Sequence, residues 1–231
     1  KDKVIATLVN YAIHPEVIGN KKGILSPDLC GPLYDRIEAK AGGMAIFMNG
    51  AQGGMVTADN RRPEGKEAGD WEECIRIGEL LADQALAIVD KVPLQTAPLL
   101  SSHSKEINLP VTSPLMKILI DHSEIGLKVS EDYRLKTRIN LLNIGSAQIL
   151  TIPGEALPNI GYYLKRKMKT NQPFLFGLTN DAFGYMLTKV DFNSFKRYEY
   201  ISKTSLGEET AEIYIEEALQ LIEASPSAEK Q

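Results

Sequence analysis

The chain has 231 residues, 43% of them hydrophobic and 24% charged, which excludes a disordered polymer and leaves ample material for a buried core. Lys and Arg number 26 against 30 Asp and Glu, so the net charge of −4 gives no basic footprint for nucleic acid. The 2 cysteines exclude a disulfide-built miniature scaffold and a four-cysteine zinc knuckle.

No stretch approaches the ~20 consecutive apolar residues of a membrane span. The chain starts at Lys1 rather than Met and carries no signal-peptide pattern, as if taken from the interior of a longer protein. Val4 to Ile13 reads as a short β-branched strand that ends at His14-Pro15. Residues 15–25 hold Gly19, Asn20 and Gly23 and read as a loop. Ser26-Pro27-Asp28 predicts a helix start with Ser26 as the cap; Leu29, Leu33 and Ile37 follow at helical spacing until Gly42-Gly43. Ala45 to Met48 reads as a strand that runs into a small-residue loop, Asn49 to Asn60.

Residues 70–91 give the clearest helical period, with Ile75, Gly78, Leu81, Ala82, Ala85, Ile88 and Val89 on one face. Residues 101–109 predict a strand. Residues 110–134, broken by Pro110, Pro114 and Gly126, show no clean period and read as a surface excursion or a lid. A hairpin is expected from Arg138 to Ile152 around Gly145-Ser146. Pro153-Gly154-Glu155 is then expected to open a helix bearing Leu157, Ile160, Leu164 and Met168. Phe174 to Leu178 reads as a buried strand, and residues 207–223 as a last helix before a polar, flexible tail, 224–231. Alternating strands and helices with one hairpin predict an α/β fold of mixed sheets flanked by helices.

Three strand ends carry polar groups among small residues: His14, the loop 49–60 and Glu155. In α/β folds, ligands collect at the carboxyl ends of strands, which makes these candidates for one site. His14 reads as a metal or catalytic ligand, or as a histidine hydrogen-bonded at a strand end. Glu155 reads as a ligand or as a carboxylate stabilised at a helix N-terminus. Tyr185 is a site residue or a rim aromatic, and Cys30 and Cys74 read as buried small hydrophobes. The chain has no GxGxxG, no phosphate-binding P-loop, no HExxH and no GxSxG.

These residues fall in four blocks that together resemble the catalytic domain of the neutral (non-lysosomal) ceramidases, which are zinc-dependent amidases. The blocks are Asn10-Tyr11-Ala12-Ile13-His14-Pro15 with Leu25-Ser26-Pro27-Asp28; Phe47-Met48-Asn49-Gly50-Ala51-Gln52-Gly53; Ile144-Gly145 to Thr151-Ile152-Pro153-Gly154-Glu155; and Gly177-Leu178-Thr179-Asn180-Asp181 to Tyr185, Thr188 and Arg197-Tyr198-Glu199. The resemblance implies a single domain over 1–223, the C-terminal portion of a larger ceramidase-like fold. In the family, zinc is held by two histidines, a glutamate and a tyrosine. His14 matches the second histidine, Glu155 the glutamate and Tyr185 the tyrosine.

The family's first zinc histidine lies in a His-Thr-His type block that has no counterpart here, so the resemblance implies that a preceding segment or a separate chain supplies it. Thr57 stands at the position of a family serine and is expected to place water or substrate; Tyr198 is expected to support Tyr185 or an oxyanion. Where the family has Asp and Pro around that serine, this chain has Met55 and Ala58. The implied activity is hydrolysis of the N-acyl amide of ceramide or a related N-acyl lipid by zinc-activated water. A zinc amidase for another N-acyl substrate and a metal-free binding scaffold are the alternatives. An extracellular, periplasmic or membrane-associated setting is implied by the resemblance alone.

Overall fold

The first apolar run forms β1 (Ala6–Tyr11), and the short run after Gly43 forms β2 (Met44–Asn49), in a computed structural model that describes residues 3–56 and 69–228. The two strands pair in parallel from Ala6↔Met44 to Tyr11↔Asn49. Parallel neighbours need a crossover, and α1 (Cys30–Ala41) supplies it. With α2 (Trp71–Val89), these elements make one compact unit, Lys1–Asn49 and Met55–Leu94. α1 buries Leu33 and Ile37, α2 buries Cys74, Ile77 and Ala82, and Val9 and Ala45 of the strands complete the packing. α2 starts where its period does, because the Asp70 carboxylate accepts the Glu73 amide at 2.8 Å.

The start of α1 departs from expectation. Ser26 does accept the Asp28 amide, at 2.9 Å, but Asp28 has φ 52 and the helix begins only at Cys30. Asp28 is bent out of the helical conformation to serve a loop. Its buried carboxylate accepts the amides of Val17 at 3.0 Å, Ile18 at 2.8 Å and Leu29 at 2.8 Å. Asp tolerates this left-handed conformation better than most residues do.

Two positions in this unit carry predictions. Gly78 lies at the crossing of the helices: a Cβ there would stand 2.4 Å from the Leu29 carbonyl oxygen and 3.0 Å from the Leu33 amide. Gly78→Ala should destabilise this unit by about 2 kcal/mol, because overpacking outweighs the ~1 kcal/mol that Ala gains in helix propensity; a denaturant titration of the helical signal measures it. Cys30 and Cys74 are both buried and unbridged. Desolvation and the Asp28 charge push both thiols up to about 11. An unfolded thiol ionises near ~8.5, so this contribution to stability is complete below that pH and is lost as pH rises toward 11. At pH 8, iodoacetamide should leave both cysteines unmodified in the native protein and alkylate both in denaturant, read by mass spectrometry.

The second unit comprises Gly50–Gly54 and Gln95–Gln231. Its main sheet has the order β3 (Leu100–Pro110), β4 (Arg134–Ile144), β5 (Ala147–Thr151), β7 (Gln172–Phe176). The first two pairings are antiparallel, and β7 runs parallel to β5. The hairpin between β4 and β5 turns at Gly145, with φ 55. Between β5 and β7 the chain forms β6 (Glu155–Ala156) and α4 (Pro158–Lys167). After β7 come β8 (Tyr185–Met186), a 3-10 turn (Lys196–Tyr198), α5 (Glu199–Lys203) and α6 (Thr210–Ala224). α6 packs on β3 and α4, and its fully buried Tyr214 donates to the Thr151 carbonyl at 3.0 Å. Burial pushes that hydroxyl's pKa well above its ordinary value. Mixed sheets flanked by helices are as expected.

Three local readings are corrected. Residues 110–134 contain a helix, α3 (Pro114–Asp121), whose cap Ser113 accepts the Met116 amide at 3.3 Å. The helix expected from Pro153-Gly154-Glu155 starts only at Pro158, because Glu155 and Ala156 are taken into a strand. The tail is held as far as Ala228, whose amide donates to the Lys169 carbonyl at 3.1 Å, while Asn143 donates to the Pro226 carbonyl at 3.1 Å.

Candidate functional site

β6 and β8 form a sheet of their own, parallel, with Glu155 directly opposite Tyr185 and Ala156 opposite Met186. Backbone bonds hold this register: Glu155 donates to the Gly184 carbonyl at 2.9 Å and Leu157 to the Met186 carbonyl at 3.1 Å. Glycines make the approach possible. A Cβ on Gly154 would come within 2.6 Å of the Gly184 carbonyl oxygen, and Gly184 itself has φ 80. A third segment joins the pair. The Gly53 amide donates to the Ala156 carbonyl at 2.9 Å, and a Cβ on Gly53 would stand 2.4 Å from the Glu155 carbonyl oxygen.

Tyr185 is nearly buried, in a cluster with Leu157 and Leu187. Phe192, Tyr198 and Ile201 pack against the cluster. The Tyr200 ring meets Tyr185 edge-on at 6.0 Å between centroids. Tyr198 is half-buried and meets Phe195 edge-on at 5.5 Å, with the Arg197 guanidinium 5.5 Å from its ring centre. Glu155, Tyr185 and Tyr198, singled out on two sequence blocks, thus belong to one unit, the first two on paired strands and the third against the Tyr185 cluster.

His14 belongs to the other unit. The loop leaving β2 determines its ring. The Met55 carbonyl accepts both the His14 amide at 3.0 Å and Nδ1 at 3.1 Å, while Asn49 Oδ1 accepts the Ile13 amide at 3.2 Å. A carbonyl can only accept, so Nδ1 carries a proton, which in the neutral ring leaves the lone pair on Nε2. That is the tautomer a metal-ligating histidine has when its other nitrogen is tied to the backbone. Thr57 lies outside the described residues.

A carboxylate, a phenol hydroxyl and an imidazole are donor types that zinc accepts; Glu155 and Tyr185 lie in the second unit and His14 in the first. Among the described residues, no group of three or more His, Cys, Asp or Glu is placed to hold a metal ion. Sequence reasoning missed Gly184 and the part played by Asp28. The Gly-Tyr step in Asn180 to Tyr185 was the available signal for the first, and a Ser-Pro-Asp cap obscured the second.

No protein-family model matches the chain, and no curated protein matches it. Solved structures do. A neutral ceramidase from Pseudomonas aeruginosa aligns over 97% of this chain with a TM-score of 0.70 at 15% sequence identity. The chain has the fold of part of a neutral ceramidase. A ceramidase complexed with C2 aligns over 98% of the chain, with a TM-score of 0.73 and 15% identity. The chain spans less than half of each, 45% and 47%. Among the described residues, no helix is long and apolar enough to cross a membrane.

Proposed function

We propose that the chain is the part, residues 1–223, of a zinc-dependent amidohydrolase that cleaves the N-acyl amide of ceramide or a related N-acyl lipid. The observation that carries this reading is the β6–β8 ladder. It sets Glu155 opposite Tyr185, in a ceramidase-like fold, from two sequence blocks 30 residues apart. His14, Glu155 and Tyr185 are the zinc ligands this chain would contribute, with a further histidine from another segment or a separate chain. Zinc, when bound, lowers the pKa of water and polarises the amide carbonyl.

The chain's own residues have distinct parts in this reading. Met55 holds the His14 ring through Nδ1 so that Nε2 presents its lone pair. Glu155 offers anionic oxygen, which a backbone-held strand keeps in register with Tyr185. Tyr198, packed against the Tyr185 cluster, steadies that ring or the developing oxyanion, and Thr57 orients water or the substrate carbonyl. An extracellular, periplasmic or membrane-associated setting goes with this substrate class.

Met55 and Ala58, which replace the family's Asp and Pro beside Thr57, favour a second reading in which the same centre acts on a different N-acyl compound. The test is elemental analysis of protein purified without chelator, paired with hydrolysis of short-chain ceramide and of a non-sphingoid N-acyl amine. About one zinc per chain, lost in His14→Ala without loss of the helical signal, supports the centre; the preferred substrate separates the two readings. A folded, zinc-free and inactive protein, tested alone and with the complementary ceramidase-like segment, would make it a scaffold.

A further inference from the structure

α4 has two unlike faces. Ile160, Gly161 and Leu164 are buried, while Tyr162 is 66% exposed and Arg166 and Lys167 are exposed with it. The stretch around them stands out in an acidic chain. No Asp or Glu occurs between Glu155 and Asp181, and the charged residues there are Lys165, Arg166, Lys167 and Lys169. Lys169 is committed to the fold: it donates to the carbonyls of Glu223 at 2.7 Å and Ser225 at 3.3 Å and lies 3.6 Å from the Glu223 carboxylate. The other three have no carboxylate partner among the described residues. Lys167 lies over the Tyr163 ring, 5.5 Å from its centre. Lys165 is half-buried, and desolvation lowers its pKa. An ammonium that leaves water without meeting an anion is unfavourable, and the negative end of the helix dipole offsets only part of that.

The missing counter-charge is anionic, and the neighbouring rings narrow its class. Tyr162 stands one turn before Arg166, and Tyr163 one turn before Lys167. Tyrosine has an apolar body and a hydroxyl tip, and together with Lys and Arg it is the residue type that sits at the headgroup level of a bilayer. A nucleic acid asks for a longer basic track on a basic protein, whereas this chain has a net charge of −4. At an anionic bilayer a local patch suffices, because the surface potential decays within a Debye length and acts on the nearest charges. We infer that the C-terminal end of α4 docks on an anionic phospholipid bilayer, with Lys165, Arg166 and Lys167 meeting phosphates and Tyr162 and Tyr163 seated among the headgroups. α4 follows directly on the strand that carries Glu155, and its 10 residues span about 15 Å, so the docked end lies one helix length from the β6–β8 pair. Docking needs no turnover and holds whether or not the amidase reading does.

The test is co-sedimentation of the purified protein with vesicles of phosphatidylcholine alone and of phosphatidylcholine mixed with phosphatidylglycerol. The wild type should bind the mixed vesicles and not the zwitterionic ones, and should lose that binding as salt rises from about 50 to 500 mM. Arg166→Gln combined with Lys167→Gln should weaken binding about thirtyfold, roughly fivefold for each charge removed near the surface. Arg166→Lys combined with Lys167→Arg keeps both charges and should bind as the wild type does, which separates charge from damage to the helix. Lys21→Gln combined with Lys128→Gln removes two exposed charges outside α4 and should change binding less than about threefold. Equal binding to both vesicle types, an equal loss in the Lys21 and Lys128 variant, or no binding by the charge-keeping variant would overturn the docking. Retention on heparin that depends on Arg166 and Lys167, without vesicle binding, would overturn it too, since the counter-charge would then be a soluble polyanion. An inactive protein that still docks sinks only the amidase reading, and an active one that does not dock sinks only this one.

Discussion

Replacing Glu155 by Gln should remove zinc from the purified protein and lower hydrolysis of an N-acyl amide by about a thousandfold or more, with little change in melting temperature. Loss of the several kcal/mol that a metal-polarised carbonyl contributes corresponds to a rate effect of about that size. The fold should persist because what places residue 155 is backbone. Its amide bonds the Gly184 carbonyl at 2.9 Å, and Gly53 seats against its own carbonyl. Gln keeps the length and shape of Glu and loses only the anionic charge, which is what a zinc ligand supplies in place of a neutral amide. Elemental analysis, a thermal melt and an amide-hydrolysis assay on the same preparation decide it. A Glu155→Gln protein that retains zinc and turnover would mean that Glu155 is an ordinary half-buried strand residue.

The long elements are legible because their periods come from burial on one face. The helical period over 70–91 corresponds to α2, although its buried face runs through Cys74, Ile77, Gly78 and Ala82 while Ile75, Ile88 and Val89, read on that face, are exposed; the hairpin around Gly145 corresponds to β4 and β5. The errors lie where tertiary partners override local signals. Two Ser-Pro pairs illustrate this. Ser26-Pro27 reads as a cap, yet the next residue, Asp28, is claimed by the amides of Val17 and Ile18 and the helix starts late. Ser113-Pro114 lies in a stretch without a clean period and does cap a helix, because α3 is short and offers too few turns for the period to show. Glu155 reads wrongly as a helix start for a related reason. A two-residue strand has no period at all, and only the pairing with Tyr185, distant in sequence, creates it. The blocks therefore nominate candidate residues, but the Glu155–Tyr185 pairing is not legible in them, since it depends on glycine-permitted backbone contacts that no local pattern encodes.

Gly184→Ala should be the most damaging glycine-to-alanine change in the second unit, because its added Cβ makes the shortest contact with backbone. Gly184 has φ 80, and a Cβ there would lie 2.0 Å from the Thr204 carbonyl oxygen and 3.2 Å from its carbon. The clash is with backbone, so no side-chain rotation relieves it. That same Thr204 carbonyl accepts the Tyr185 amide at 3.3 Å, while the Gly184 carbonyl accepts the Glu155 amide at 2.9 Å. Displacing residue 184 thus strains one of the bonds that join β8 to β6 and the bond that ties β8 to Thr204. Thr204 also ends α5, which carries Tyr200 against the Tyr185 ring, so the displacement reaches the aromatic cluster as well. The left-handed backbone penalty and overpacking together cost roughly 2–5 kcal/mol. The control is Gly126→Ala in the same unit, where φ is 70 and nothing lies within 4 Å of the added Cβ. It should cost only the backbone part, about 1 kcal/mol. Denaturant unfolding of both variants separates conformation from packing. Zinc content and amide hydrolysis should fall in Gly184→Ala and hold in Gly126→Ala. Equal losses of stability in the two would show that β8 can shift without cost, and the Glu155–Tyr185 register would then not depend on that glycine.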